Sequence, residues 1–233
     1  MVKINDIKIA DVGYFINLDK RTDRLEILTN QLKSFNIEGV ERFSAISNLN
    51  SGPLNCRSSH YELYKKFLDS DSEVLLVLED DCKFLDVLKD EYETIFKDIY
   101  STEWDLFWLG CRNRRSPVPY KNNTFKVSSV SHSQSYLIKR NLCEYILKNF
   151  PLNVQSSILI DELLCLSIYG NDVVNNPNSV NFYELDNPIN VLPTNFISLC
   201  YLKPLSTQYA SFSDLWNMNV NYEEYIKNSH PNL

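Results

Sequence analysis

Glu73–Asp81 reads EVLLVLEDD, and the reading of this stretch decides the fold. Val74 to Leu78 is apolar at every position, as expected for a strand covered on both faces, so it predicts a central strand with parallel neighbours. Parallel strands need crossover connections, and the flanking sequence offers them. Upstream, Val12 to Leu18 is apolar and β-branched and runs into RTDRLEILTNQLKSF, where Leu25, Leu28, Leu32 and Phe35 recur at helical spacing. ERFSAI then predicts a short strand, and Asn55 a cap for the helix that carries His60, Leu63 and Phe67 on one stripe. Downstream, a helix from about Leu85 to Tyr100 precedes the strand DLFWLG. This alternation predicts an α/β fold with a mainly parallel central sheet flanked by helices and joined by right-handed crossovers.

After Gly110 the pattern loosens. CRNRRSPVPYKNNT, with Arg112, Arg114 and Arg115, has no periodicity and reads as a loop over a site or a disordered tip. FKVSSVSHSQSYLIKR suggests paired strands, RNLCEYILKNF a helix, and DELLCLSIYG a helix ended by Gly170. The stretch holding Pro177, Pro188, Pro193 and Pro204 reads as irregular covering structure. The expectation is one domain over residues 1–233, with 171–233 as its C-terminal cover.

The bulk numbers narrow the function. A chain of 233 residues, 44% hydrophobic and 23% charged, has the composition of a folded globular protein. Its formal charge of -7 opposes general attraction to nucleic acid or anionic lipid, so an anionic substrate needs local arginines or a cation. No apolar run is long enough to span a bilayer and no cleavage pattern opens the chain, so a cytoplasmic location is expected. The six cysteines are scattered, without a Cys-x-x-Cys pair, and most are read as reduced thiols.

Glu79-Asp80-Asp81 closes the apolar strand at the sheet edge where ligands of open α/β sheets bind. Three adjacent carboxylates repel one another and burial adds a desolvation cost, so the arrangement favours a hard divalent cation, Mn²⁺ or Mg²⁺. Strand alternation lets Glu79 and Asp81, the expected metal ligands, point one way and Asp80 the other. An acidic turn after a strand is the plainer explanation of the tripeptide alone.

Four separated segments carry a resemblance. They are Ile16-Asn17-Leu18 with Arg21 and Arg24; Arg42-Phe43-Ser44-Ala45-Ile46; Cys56 through Ser59-His60; and Leu78-Glu79-Asp80-Asp81. A weaker match joins Ser135-Tyr136-Leu137-Ile138 to Asp161-Glu162-Leu163-Leu164. In these segments, over roughly residues 12 to 170, the chain resembles glycosyltransferase family 25, which includes lipopolysaccharide and collagen hydroxylysine galactosyltransferases. The resemblance implies a GT-A-like nucleotide-binding sandwich and inverting transfer of galactose or glucose from a UDP-sugar to a glycan or collagen-like hydroxylysine. It also implies that Glu79-Asp80-Asp81 stands at the metal motif.

Asn17, Arg21 and Arg24 follow the first strand at the same edge and are candidates for base, ribose or phosphate, with a solvated helix start as the other reading of Arg24. Ser59 and His60 are expected to open a helix whose free N–H groups suit phosphate, against a purely structural histidine. Asp105 either contacts the donor sugar or only begins a strand, and His132 and Gln134 are candidates by their place alone. Inverting transfer needs a carboxylate base, and Asp161 and Glu162 form the obvious pair, one facing the pocket and one capping the helix, in an order the sequence leaves open. A non-catalytic module that binds a nucleotide sugar or a glycan and a Mg²⁺-dependent phosphohydrolase are the competing functions.

Overall fold

The computed structural model describes residues 1–49, 51–152, 158–170, 192–214, 218–222, 226 and 228–229. The elements in the N-terminal half are β1 (Val2–Ile4), β2 (Ile7–Ala10), β3 (Val12–Asn17), α1 (Thr22–Ser34), β4 (Ile37–Glu38), β5 (Val40–Ser44), α2 (Gly52–Leu68), β6 (Val74–Glu79), β7 (Cys82–Phe84) and α3 (Asp86–Tyr100). There follow β8 (Leu106–Asn113), β9 (Val118–Pro119), β10 (Thr124–Lys126), β11 (Val130–Lys139), α4 (Arg140–Asn149), α5 (Ile160–Tyr169), β12 (Ser198–Tyr201), β13 (Ser206–Gln208), β14 (Ser211–Ser213) and β15 (Met218–Val220). The covering structure expected around Pro177 and Pro188 lies outside the described residues.

An eight-stranded sheet in the order β5-β3-β6-β11-β8-β12-β10-β9 forms the centre. Along β6, Leu75 and Val77 face one apolar cluster and Leu76 and Leu78 the other, which is why the run has no polar interruption. Helices α2, α4 and α5 cover the first face through Leu63, Phe67, Ile146 and Leu164. Helices α1 and α3 cover the second through Leu28, Leu32, Ile95 and Ile99. Each such side chain, taken fully out of water, contributes roughly 1.5–3 kcal/mol.

The α/β layering agrees with the sequence, but the sheet is mixed where a mainly parallel one is expected. Strands β5, β3 and β6 are parallel neighbours and β12 is parallel to β8, yet β11 lies reversed between β6 and β8. An apolar run reports burial on both faces and carries no record of the partner's direction. Nor do β10 and β11 pair with each other: β10 joins β9 and β12 instead. The helix carrying His60 also starts earlier than expected. Its N-cap is Ser51, whose Oγ accepts the Leu54 N–H, and Pro53 sits in the first turn. Asn55 is inside the helix and binds back to Leu49 through both its side-chain oxygen and nitrogen.

Two irregularities shape one edge of the sheet. Pairing of β11 with β8 slips between Ser131 and Ser135, and within that bulge His132 has a φ of 73°, a left-handed conformation uncommon for a residue with a side chain. Facing it, Gly110 lets β13 cross against β8, because a Cβ there would lie 2.1 Å from the Ser206 carbonyl oxygen.

Candidate active site

A cavity of about 490 Å³ opens at the edge where β3, β5 and β6 end and β11 begins. Its wall includes the first turns of α2, the start of α5, Gln208 of β13, and residues of the β14–β15 hairpin. Glu79, Asp80 and Asp81 all line it, as do Arg24, Ser59, His60 and Asp161. Asn17, Arg21, Asp105 and Glu162 are not among the lining residues.

The acidic run divides. Strand geometry ends at Glu79 and the next two residues form a turn, so simple alternation does not govern them. Glu79 Oε1 accepts from Ser133 Oγ at 2.6 Å and lies 3.4 Å from His60 Nε2. Asp80 accepts from Asn17 Nδ2 at 2.8 Å and from Arg24 Nη1 at 2.7 Å, and the same Arg24 nitrogen reaches Asp81 Oδ2 at 3.4 Å. Asp80 and Asp81 thus meet Arg24, while Glu79 meets His60 of α2 and Ser133 of β11.

Burial dominates the titration of this run. It raises the Asp81 carboxyl to about 7, helped by the charge of Glu79 and opposed by Arg24. Burial also lifts Asp80, with Arg24 and Asn17 opposing. At Glu79 burial again pushes upward, but the contacts with His60, Ser133 and Arg24 outweigh it and the net shift is down. Asp81 Oδ1 is met at 3.5 Å by Gln208 Nε2, and the Oε1 of the same amide is buried without a hydrogen-bond partner. A buried carboxylate and the unsatisfied oxygen of an adjacent amide are oxygen donors of the kind a hard divalent cation takes.

Asn17 and Arg21 act one step back from the cavity. Asn17 is held by Arg42 Nε at 2.9 Å and in turn orients Asp80. Arg21 is taken up by Asp23 and by Asp214 at 2.6 Å, and Arg24 Nη2 donates to Ser211 Oγ and to the Phe212 carbonyl. Both arginines therefore tie α1 to the β14–β15 hairpin. Ser59 and His60 do not open a helix: they lie in the interior of α2, each 1% exposed, which removes the free N–H groups expected there. Ser59 Oγ donates to the Asn55 carbonyl and accepts from the Ile46 N–H. Asp105 sits at the opposite end of β8 from the cavity, where the strand begins, accepting from the Ile197 N–H at 2.8 Å and from Asn141 Nδ2 at 3.0 Å.

The order within the Asp161-Glu162 pair, open in the sequence, is settled by the start of α5. Glu162 turns back to accept the Leu159 N–H at 3.2 Å, a helix cap, and its Oε1 is 4.0 Å from Arg114 Nη1. Asp161 turns to the cavity and accepts the His132 N–H at 2.8 Å, an N–H that the bulge of β11 aims at it. Burial raises Asp161, with the His132 N–H and Arg114 opposing; burial and then Asp161 raise Glu162 to about 7. The His132 ring packs on Tyr222 at 4.2 Å between centroids, and burial lowers it to about 4. Gln134 donates to the Gly110 carbonyl at 2.8 Å.

Sequence reasoning misses Cys56 and Gln208 as site residues and leaves Arg112 and Arg114 to a loop. Both arginines line the cavity, Arg112 from β8 itself. A signal existed for them in the Arg-rich run beyond the Gly110 strand. None existed for Gln208, which reaches the cavity only because β13 crosses at Gly110.

An α/β sandwich with an acidic, arginine-flanked cavity at its strand ends is the class these features define. The profile described as glycosyltransferase family 25 (LPS biosynthesis protein) matches residues 39–164. The chain belongs to that family. It is 27% identical over 196 residues to procollagen galactosyltransferase 1-B of Xenopus laevis, covering 70% of this chain and 32% of that protein. It is also 27% identical over 126 residues to procollagen galactosyltransferase 2 of Mus musculus, covering 52% of this chain and 20% of the relative. The chain thus spans about a third or less of the curated relatives it matches. A solved glycosyltransferase involved in glycosylation of the major capsid of PBCV-1 aligns with a TM-score of 0.38 at 10% identity, over 60% of this chain and 67% of that one.

Proposed function

We propose that this chain is an inverting glycosyltransferase domain that moves a hexose, galactose first among candidates, from a UDP-sugar to an acceptor hydroxyl. The observation that carries the reading is the sharing of one cavity by the acidic run and Asp161, whose neighbour Glu162 is withdrawn into a helix cap. Family membership and the galactosyltransferase relatives support the same class. The acceptor is a glycan hydroxyl or a collagen-like hydroxylysine.

In this reading Asp81 would hold Mn²⁺ or Mg²⁺, with the unpartnered amide oxygen of neighbouring Gln208 as a further donor, and Asp80 is kept in place by Asn17 and Arg24. When bound, the cation neutralises charge on the departing diphosphate. Arg112 and Arg114 add positive charge at the cavity wall. Asp161 accepts the acceptor's hydroxyl proton as that oxygen bonds to the anomeric carbon and UDP leaves. The His132 and Glu162 N–H groups hold the carboxylate in place during this step.

Calorimetric titration of UDP with and without Mn²⁺, on the native protein and on Asp81→Asn, tests the donor site. Binding that needs both the metal and Asp81 is expected, followed by UDP release from UDP-galactose in the presence of collagen-like peptides or oligosaccharides. UDP binding without transfer to any acceptor would leave a sugar-nucleotide-binding module. Phosphate release from simple esters would point to a hydrolase.

A further inference from the structure

We propose that Cys56, His60 and Glu79 form a binding site for a borderline-soft divalent cation of the zinc class, separate from the hard-cation position at Asp81. The Cys56 sulfur, a His60 ring nitrogen and a Glu79 carboxylate oxygen all lie within 4.8 Å of one another. Cys56 and His60 are four residues apart on α2 and so share one face, and Glu79 comes to them from the end of β6.

The histidine carries the argument. Its ring is 1% exposed, and buried Nε2 makes no well-formed hydrogen bond, its polar neighbour being the Glu79 carboxylate at an ion-pair distance. The other ring nitrogen, Nδ1, is held 2.7 Å from the Tyr136 hydroxyl, which is 2.6 Å from the Tyr64 hydroxyl. That is the outer-shell arrangement that fixes a ligating histidine and leaves its second nitrogen for the metal. Nε2 stands 3.4 Å from Glu79 Oε1, close to the edge of a tetrahedron built on zinc bonds of roughly 2.0–2.1 Å. Ser133 Oγ steadies the same carboxylate oxygen at 2.6 Å.

The donor set selects the ion. Sulfur and imidazole favour zinc over Mg²⁺ or Mn²⁺, which seek oxygen, as at Asp81. All three residues line the cavity, so an ion can enter from it. On binding, the Cys56 thiol releases its proton to solvent and the sulfur bonds the metal. The inference does not rest on the transferase reading.

Metal-free protein titrated with Co²⁺ as a spectroscopic probe tests it. The expected result is a sulfur-to-cobalt charge-transfer band that saturates at one equivalent and is abolished by Zn²⁺. In Cys56→Ser the band should vanish and Zn²⁺ affinity, read by competition with a chromophoric chelator, should fall at least about tenfold. Asp81→Asn should keep both. Absence of the band, its survival in Cys56→Ser, or its equal loss in Asp81→Asn overturns the proposal. Should Cys56→Ser fail to fold, alkylation of the native protein decides the matter: Zn²⁺ should protect Cys56 from iodoacetamide, and unchanged alkylation would reject the site. Because these readouts involve neither UDP nor a sugar, they can succeed or fail independently of the donor experiment.

Discussion

Asp161 and Glu162 are adjacent in sequence and opposite in duty, and the difference comes from which N–H groups each finds. Asp161 meets the His132 N–H across the cavity wall and Glu162 the Leu159 N–H of its own helix start. Asp161→Asn should therefore lower transfer by about 10²–10⁴-fold while leaving UDP affinity, read by calorimetry, unchanged. Glu162 makes a prediction in pH. Its carboxyl is raised from 4.5 to about 7, so the folded chain holds a proton there that the unfolded chain has lost. Its contribution to stability is then full below about 4.5 and is lost as pH rises through about 7. Thermal unfolding of Glu162→Gln, followed against pH, should gain on the native protein over that window and level off above it. A difference that stays constant with pH would contradict the assignment.

At the scale of elements, the position and two-sided burial of β6 were legible because a strand buried on both faces has no polar positions to misread, while the direction of its neighbour β11 was not. The start of α2 was less so. Asn55 is as good a cap as Ser51 by composition, and what chose between them is the Ser51-Gly52-Pro53 geometry, with Asn55 diverted to Leu49. Ser51→Ala should cost about 1 kcal/mol in denaturant unfolding. Gly110 is a packing constraint that no local pattern announces. Gly110→Ala drives a methyl into the Ser206 carbonyl, so a loss of roughly 1–3 kcal/mol is expected, with weaker Mn²⁺-dependent UDP binding as Gln208 shifts.

Across the whole molecule, the β14–β15 hairpin is fastened to α1 by Arg21 and Arg24, residues some 190 positions away in sequence. Arg21→Ala should speed amide exchange in β14 and β15 by hydrogen-exchange mass spectrometry and leave β6 and β11 protected; unchanged hairpin exchange would place the fastening elsewhere. By itself the sequence determined the α/β layering, the strand that carries the acidic run, and a carboxylate pair at the start of α5. These are local facts, written in periodicity and in residue type over a few turns of chain. Only the tertiary structure decided that β11 runs reversed beside β6, that Ser59 and His60 lie inside a helix, that Asp105 stands at the far end of its strand, and that Glu79 turns toward Cys56 while Asp81 turns toward Gln208. Each of these depends on which distant segment arrives alongside, and hydrophobic patterning specifies that a face is buried without specifying what buries it.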